Sequence, residues 1–127
     1  MSVRRLLAEG IGTLFLLVGV VGSGIMAARL SPTDLGLQLF QNAAATACVL
    51  VAVIAIFGTI SADFNPAVTL AAWALGQRAG REVPAMIIAQ VVGAVTGTML
   101  ANLCSTYRPW TGPRPVGPAA PFGWARW

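Results

Sequence analysis

Apolar stretches separated by short polar segments organise the first 104 residues of the chain. Three of these stretches reach the roughly 20 residues that a helix needs to cross a bilayer. The first is interrupted only by Glu9, and the other two contain no charged residue. The pattern therefore predicts three transmembrane helices, at about residues 6–28, 37–60 and 83–103.

A fourth apolar stretch, residues 66–76, is too short to cross a bilayer and is typical of a re-entrant segment. Asn65 is a favoured helix N-cap, Pro66 suits the first helical turn, and Gly76 suits the position after the last turn. We therefore expect a re-entrant half-helix between the second and third spans. The predicted fold class is an all-α membrane protein with three spans and one half-helix.

The chain changes character at about residue 105. Residues 105–127 hold five prolines, three glycines, three tryptophans and three arginines, without helical or strand periodicity. Such composition does not form a packed core, and disorder is predicted here. An interfacial anchor is the alternative, since tryptophan and arginine favour the membrane surface. A frameshift after Cys104 would also explain the change.

The composition and the low charge indicate that the chain is surrounded by lipid. Hydrophobic residues make up 57% of the chain and charged residues 9%, whereas soluble domains are about a quarter charged. The arginines flank the apolar runs instead of forming a patch, which argues against nucleic-acid binding.

The first run is longer than the apolar part of a cleaved signal peptide. Cys48 and Cys104 lack a metal or redox spacing, and Cys48 is expected to be a small buried hydrophobe.

Arginine counting also predicts an orientation. With the N-terminus in the cytoplasm, Arg4, Arg5, Arg78 and Arg81 are inside and Arg29 is outside, a bias that agrees with the positive-inside rule. Three spans place the tail outside, where its arginines weaken this bias (Arg108, Arg114 and Arg126). The expected location is the bacterial inner membrane. The chain contains no histidine, and no metal site, cofactor or catalytic group is expected.

The candidate chemistry lies where polar backbone enters the membrane. Irregular backbone at membrane depth is tolerated only if it is buried in protein or lines a water-filled cavity. The positive end of a helix starting at Asn65 would oppose cations and admit neutral dipolar solutes. The Asn65 amide would supply donors. The pore-lining carbonyls would come from Ser61, Ala62, Asp63 and Phe64.

Two further features have both a functional and a structural interpretation. Glu9 is either a functional acid within a span or a helix-start acid at headgroup level. Gly93 and Gly97 form a G-x-x-x-G ridge, which predicts close helix packing within the chain or between chains.

Three segments carry a resemblance to a known family. Ser61 to Leu70 is similar to the first signature loop of the major intrinsic proteins, the aquaporins and glycerol channels. Ala8 to Thr13 resembles the family's first-helix signature, and Ala89 to Gly93 resembles its third-helix signature. The resemblance implies that Asn65, Pro66 and Ala67 form a pore signature. It also implies that Glu9 and Gln90 brace the loop.

The chain also departs from the family pattern. The usual Ser-Gly-x-His-Phe before Asn-Pro-Ala is one residue shorter here and has Asp63 in place of histidine. Asp63 would attract cations or pair with Arg78 or Arg81. The filter position of the second helix falls near Ala45 or Thr46, in uncertain register, and small residues there imply a wide filter. Only one of the family's two inverted repeats is present.

These observations predict a truncated, non-enzymatic channel for passive transport of water or small neutral solutes such as glycerol or metalloid acids. Because one half-helix cannot close a pore, we expect it to need a second half-repeat or an oligomer, for example an inverted dimer. The alternatives are a non-transporting membrane protein that associates through the Gly93/Gly97 ridge, and an inactive gene remnant.

Overall fold

The computed structural model describes residues 2–106, which form four helices. They are α1 (Val3–Leu30), α2 (Leu35–Phe57), α3 (Pro66–Ala74) and α4 (Val83–Thr106). By length and composition, α1, α2 and α4 can each cross a membrane, whereas the nine residues of α3 span only about 13 Å. The predicted fold class is confirmed. Residues 107–127, which hold most of the predicted irregular tail, lie outside the described residues.

Helix α1 is the centre of the described chain. It packs against α2 on one side and α4 on the other, while α3 packs against α4. A short turn joins α1 to α2, and Asp34 begins α2 by accepting a 2.8 Å hydrogen bond from the Leu37 N–H. This cap satisfies one of the N–H groups that the first turn leaves free.

The α1–α4 interface depends on glycine. A Cβ at Gly93 would overlap the carbonyl oxygen of Gly10, and a Cβ at Gly97 would overlap that of Leu14. Small residues let helix backbones approach closely in membranes. The Gly93/Gly97 ridge is therefore covered by α1 of the same chain, and it is not a free surface for association with another protein.

Helix α2 packs only against α1 among the described helices, so much of its surface is open. Leu39 and Phe40 are both 70% exposed. Cys48 is also exposed, and the prediction that it is buried is wrong because one neighbouring helix covers only one side of α2. Exposed apolar side chains are favourable where the surroundings are lipid.

Candidate functional site

Glu9 is the centre of a buried hydrogen-bond cluster. Its side chain has no exposed surface. Oε1 accepts hydrogen bonds from Ser61 Oγ at 2.6 Å and the Asp63 N–H at 2.9 Å. Oε2 accepts from the Phe64 N–H at 2.7 Å and Gln90 Nε2 at 2.8 Å. These donors compensate the desolvation of a carboxylate, and a headgroup-level position for Glu9 does not fit its complete burial.

Phe64 holds a left-handed backbone conformation with φ of +49°. This region costs a non-glycine residue about 1–3 kcal/mol, so the conformation persists only where its surroundings fix it. Two side chains of α1 fix the backbone of Phe64. Glu9 accepts a hydrogen bond from the Phe64 N–H, and Thr13 Oγ1 donates to the Phe64 carbonyl oxygen at 3.4 Å. The buried Phe64 ring packs against Gly12 and meets Phe57 edge-on.

Phe64 is followed directly by the start of α3. Asn65 is the N-cap, and its Oδ1 accepts a 2.9 Å hydrogen bond from the Ala67 N–H. Pro66 occupies the first turn, where its missing N–H has no cost. The cap uses the amide oxygen of an exposed side chain, so the two amide N–H donors of Asn65 take no part in this hydrogen bond.

Thr69 and Gln90 connect α3 and α4 to the loop. Gln90 Nε2 donates to both Glu9 Oε2 and Thr69 Oγ1, and Thr69 Oγ1 donates to Asp63 Oδ2 at 3.1 Å. Both residues are almost completely buried. Gln90 Oε1 has no hydrogen-bond partner within the described residues. The amide orientation is set by Glu9, which requires a donor on that side.

Arg78, from the segment between α3 and α4, reaches back to the loop. Its NH2 lies 2.8 Å from Asp63 Oδ1 and 3.4 Å from Ser61 Oγ. The sequence predicts Arg78 or Arg81 as the partner of Asp63, and in the structure the partner is Arg78. The hydrogen bond to Asp63 raises the pKa of Arg78 above its usual value, with burial acting in the opposite direction.

The structure thus gathers Glu9, Ser61, Asp63, Phe64 and Gln90 into one cluster, next to the capped helix. Among the carbonyls predicted to line a path, that of Phe64 already accepts from Thr13. Ala45 and Thr46 lie on α2, which does not contact α3 in the described part of the chain. Their assignment to a filter therefore remains a prediction.

Gly12, Thr13 and Thr69 lie within the segments that carry the resemblance, but no individual role was assigned to them from the sequence. The signal for the first two was their spacing, because residues three and four positions after Glu9 share its helix face. Thr69 follows the cap residue Asn65 by four positions, at the start of the second turn of α3. A face containing an acid, a glycine and a threonine within an apolar helix indicates a polar segment packed against it.

The arrangement offers hydrogen-bond donors and acceptors and a helix N-terminus. Within residues 2–106, no three or more His, Cys, Asp or Glu residues are grouped so that they could hold a metal ion. Such a site can bind neutral polar groups by hydrogen bonding. Three helices that can each cross a membrane, together with a short capped helix connected by a braced loop, define an integral membrane protein.

The chain belongs to the major intrinsic protein family, whose sequence pattern matches residues 1–113. The family consists of channels and not of enzymes. Over 101 aligned residues, the chain is 48% identical to Aquaglyceroporin AqpS of Rhizobium meliloti. The alignment covers 79% of this chain and 43% of the relative.

Two further relatives come from an archaeon and a bacterium. Identity to Probable aquaporin AqpM of Archaeoglobus fulgidus is 33%, over 92% of this chain and 49% of the relative. Identity to Aquaporin Z of Photorhabdus laumondii is 38%, over 72% of this chain and 39% of the relative. The chain thus spans less than half the length of these curated relatives.

Proposed function

We propose that the chain forms one half of a membrane channel that passes water or a small neutral solute, such as glycerol or a metalloid acid. The observation that carries the proposal is the capped start of α3. Asn65 uses its amide oxygen to cap the helix, which leaves its N–H donors for a solute. The positive helix end beside it opposes cations.

The bracing of the loop supports the same function. A channel that discriminates by hydrogen bonding needs its donors in fixed positions. The Phe64 backbone, immediately before Asn65, is held by Glu9 and Thr13 of α1. Glu9, Gln90 and the loop therefore act as a support for Asn65, while the exposed amide of Asn65 contacts the solute.

The half-channel requires a second half. Asn65 and Ala67 are exposed in the single chain, and polar backbone at membrane depth has to be covered by protein or water. We propose a second half-repeat as the cover, supplied by another copy in the opposite orientation or by another chain. Labelling of Gln77→Cys from each side of the membrane, in a background without Cys48 and Cys104, tests the inverted pair. Access from one side only would exclude it.

Flux measurements on reconstituted vesicles test the transport function. We expect water or glycerol flux above that of empty vesicles, and its loss in Asn65→Leu, which removes the donors and the cap. The matched control is Asn102→Leu, an exposed asparagine on α4 whose amide donates within its own helix. It should retain flux. Equal permeability of vesicles with and without the unsubstituted protein would contradict the proposal.

We further propose that the chain lies in the bacterial inner membrane with its N-terminus in the cytoplasm, except in the oppositely oriented copy of an inverted pair. The flanking arginines support this orientation. Protease treatment of oriented vesicles, followed by detection of an N-terminal tag, distinguishes the two orientations.

A further inference from the structure

Two carboxylates and one cation meet at the segment before Asn65. Glu9 has no exposed surface, and the Asp63 side chain is 10% exposed. Arg78 is the cation, with a side chain that is 17% exposed and a 2.8 Å contact to Asp63. The charge of Glu82 also acts on Arg78, but Glu82 itself forms an ion pair with Arg5 at 3.3 Å.

We propose that Arg78 is a specificity-determining residue, the fixed counter-charge of Asp63 that keeps this segment from binding cations. The inference rests on the proposed transport of neutral solutes. A guanidinium held between Asp63 Oδ1 and Ser61 Oγ occupies the position that a bound cation would otherwise take. Its charge is permanent at physiological pH, so the neutralisation does not depend on a titration.

The hydrogen bonds around Asp63 explain why the counter-charge must come from the protein. Thr69 Oγ1 and Arg78 each donate to one of the two carboxylate oxygens, while the Asp63 N–H donates to Glu9. The carboxylate is thereby fixed near a second acid. Without Arg78, the Asp63 carboxylate and the Ser61 hydroxyl would present the oxygen ligands that hard cations prefer, and the nearby charge of Glu9 would add to the attraction.

Metal binding by variants in detergent tests the inference without requiring transport. The probe is Mn²⁺, whose free fraction is measured by electron paramagnetic resonance. We expect Arg78→Gln to bind Mn²⁺ at least tenfold more tightly than the unsubstituted chain. The double variant Asp63→Asn, Arg78→Gln should lose that gain because the acid leaves together with its counter-charge. Arg81→Gln, which changes an exposed arginine of the same segment, is the matched control and should bind like the unsubstituted chain.

Each outcome decides the inference. A folded Arg78→Gln without tighter Mn²⁺ binding overturns it, as does a double variant that binds as tightly as the single one. If Arg78→Gln fails to fold and the double variant folds, the protein needs Arg78 only to compensate the charge of Asp63, which supports the inference. If neither folds, the pair is a structural support and the inference fails. Absence of neutral-solute flux in the unsubstituted chain would contradict the proposed function alone.

Discussion

The ring of Phe64 lies against the backbone of Gly12, so closely that a Cβ at Gly12 would fall inside the ring's van der Waals surface. The ring is buried and belongs to a residue with a left-handed backbone. Gly12 therefore determines how near the loop can approach α1. The same approach allows Glu9 and Thr13, on the same helix face, to reach the N–H and carbonyl of Phe64.

Gly12→Ala should destabilise the protein by about 1–3 kcal/mol, because the added methyl group displaces the Phe64 ring and disturbs both backbone contacts. Thermal unfolding in detergent measures the effect. Gly22→Ala is the control in the same helix, since a Cβ there has no neighbour within 4 Å. It should be neutral or slightly stabilising, as alanine favours helix formation more than glycine. Equal stability of the two variants would contradict the assigned contact.

Gly97→Ala should separate α1 from α4 and lower stability by about 1–3 kcal/mol, because the obstacle is the carbonyl of Leu14, which cannot rotate away as a side chain can. Unfolding in detergent again provides the measurement. At Gly24 a Cβ would make only an ordinary contact with the Asn42 side chain. Gly24→Ala is thus expected to unfold like the unsubstituted protein, and a comparable loss there would disprove a specific role for the ridge.

Glu9→Gln should cost about 2–4 kcal/mol, because the new amide nitrogen faces two buried donors that lose their acceptor. The loop should also become more accessible, which hydrogen exchange at Asp63 and Phe64 reports. Asp34→Asn is the matched control. Asp34 is an exposed helix cap, and asparagine caps a helix equally well, so the stability should change little. Unchanged exchange in Glu9→Gln would show that the carboxylate does not hold the loop.

Asn65→Asp separates the two roles of the cap residue. Aspartate retains the oxygen that accepts from Ala67 and is an equally good cap, so stability should change by less than about 0.5 kcal/mol. It lacks the amide donors and adds a negative charge, so neutral-solute flux should fall severalfold. Asn65→Ala, in contrast, should lose about 1 kcal/mol of stability with its cap. Flux retained in Asn65→Asp would exclude the amide as a solute donor.

The helices could be predicted from the sequence because their signals are local. Apolar length identified α1, α2 and α4, and Asn65 with Pro66 marked the start of α3. Helix α1 begins at Val3 and ends at Leu30, beyond its apolar run, because arginines at the headgroup level can continue a helix. Helix α2 ends at Phe57, three residues before the predicted end of its span, although the N–H groups of Gly58 and Ser61 still bond to carbonyls of the preceding turn.

The contacts of the site were less predictable because they join residues far apart in sequence. The resemblance indicated Glu9 and Gln90, but nothing local distinguished Arg78 from Arg81 as the partner of Asp63. That choice depends on how the segment after α3 folds back towards the loop. The left-handed conformation of Phe64 is equally non-local, since phenylalanine has no intrinsic preference for it. Tertiary hydrogen bonds to α1 impose it.

The distribution of the Glu9 partners along the chain has a consequence for biogenesis. Ser61 follows Glu9 by 52 residues and Gln90 follows it by 81. The ribosome therefore releases the acid of the first span long before it makes any of the groups that solvate that acid in the finished protein. Closure of the cluster can occur only after α4 has been synthesised and has joined α1, which makes it a late event in the assembly of this part of the chain.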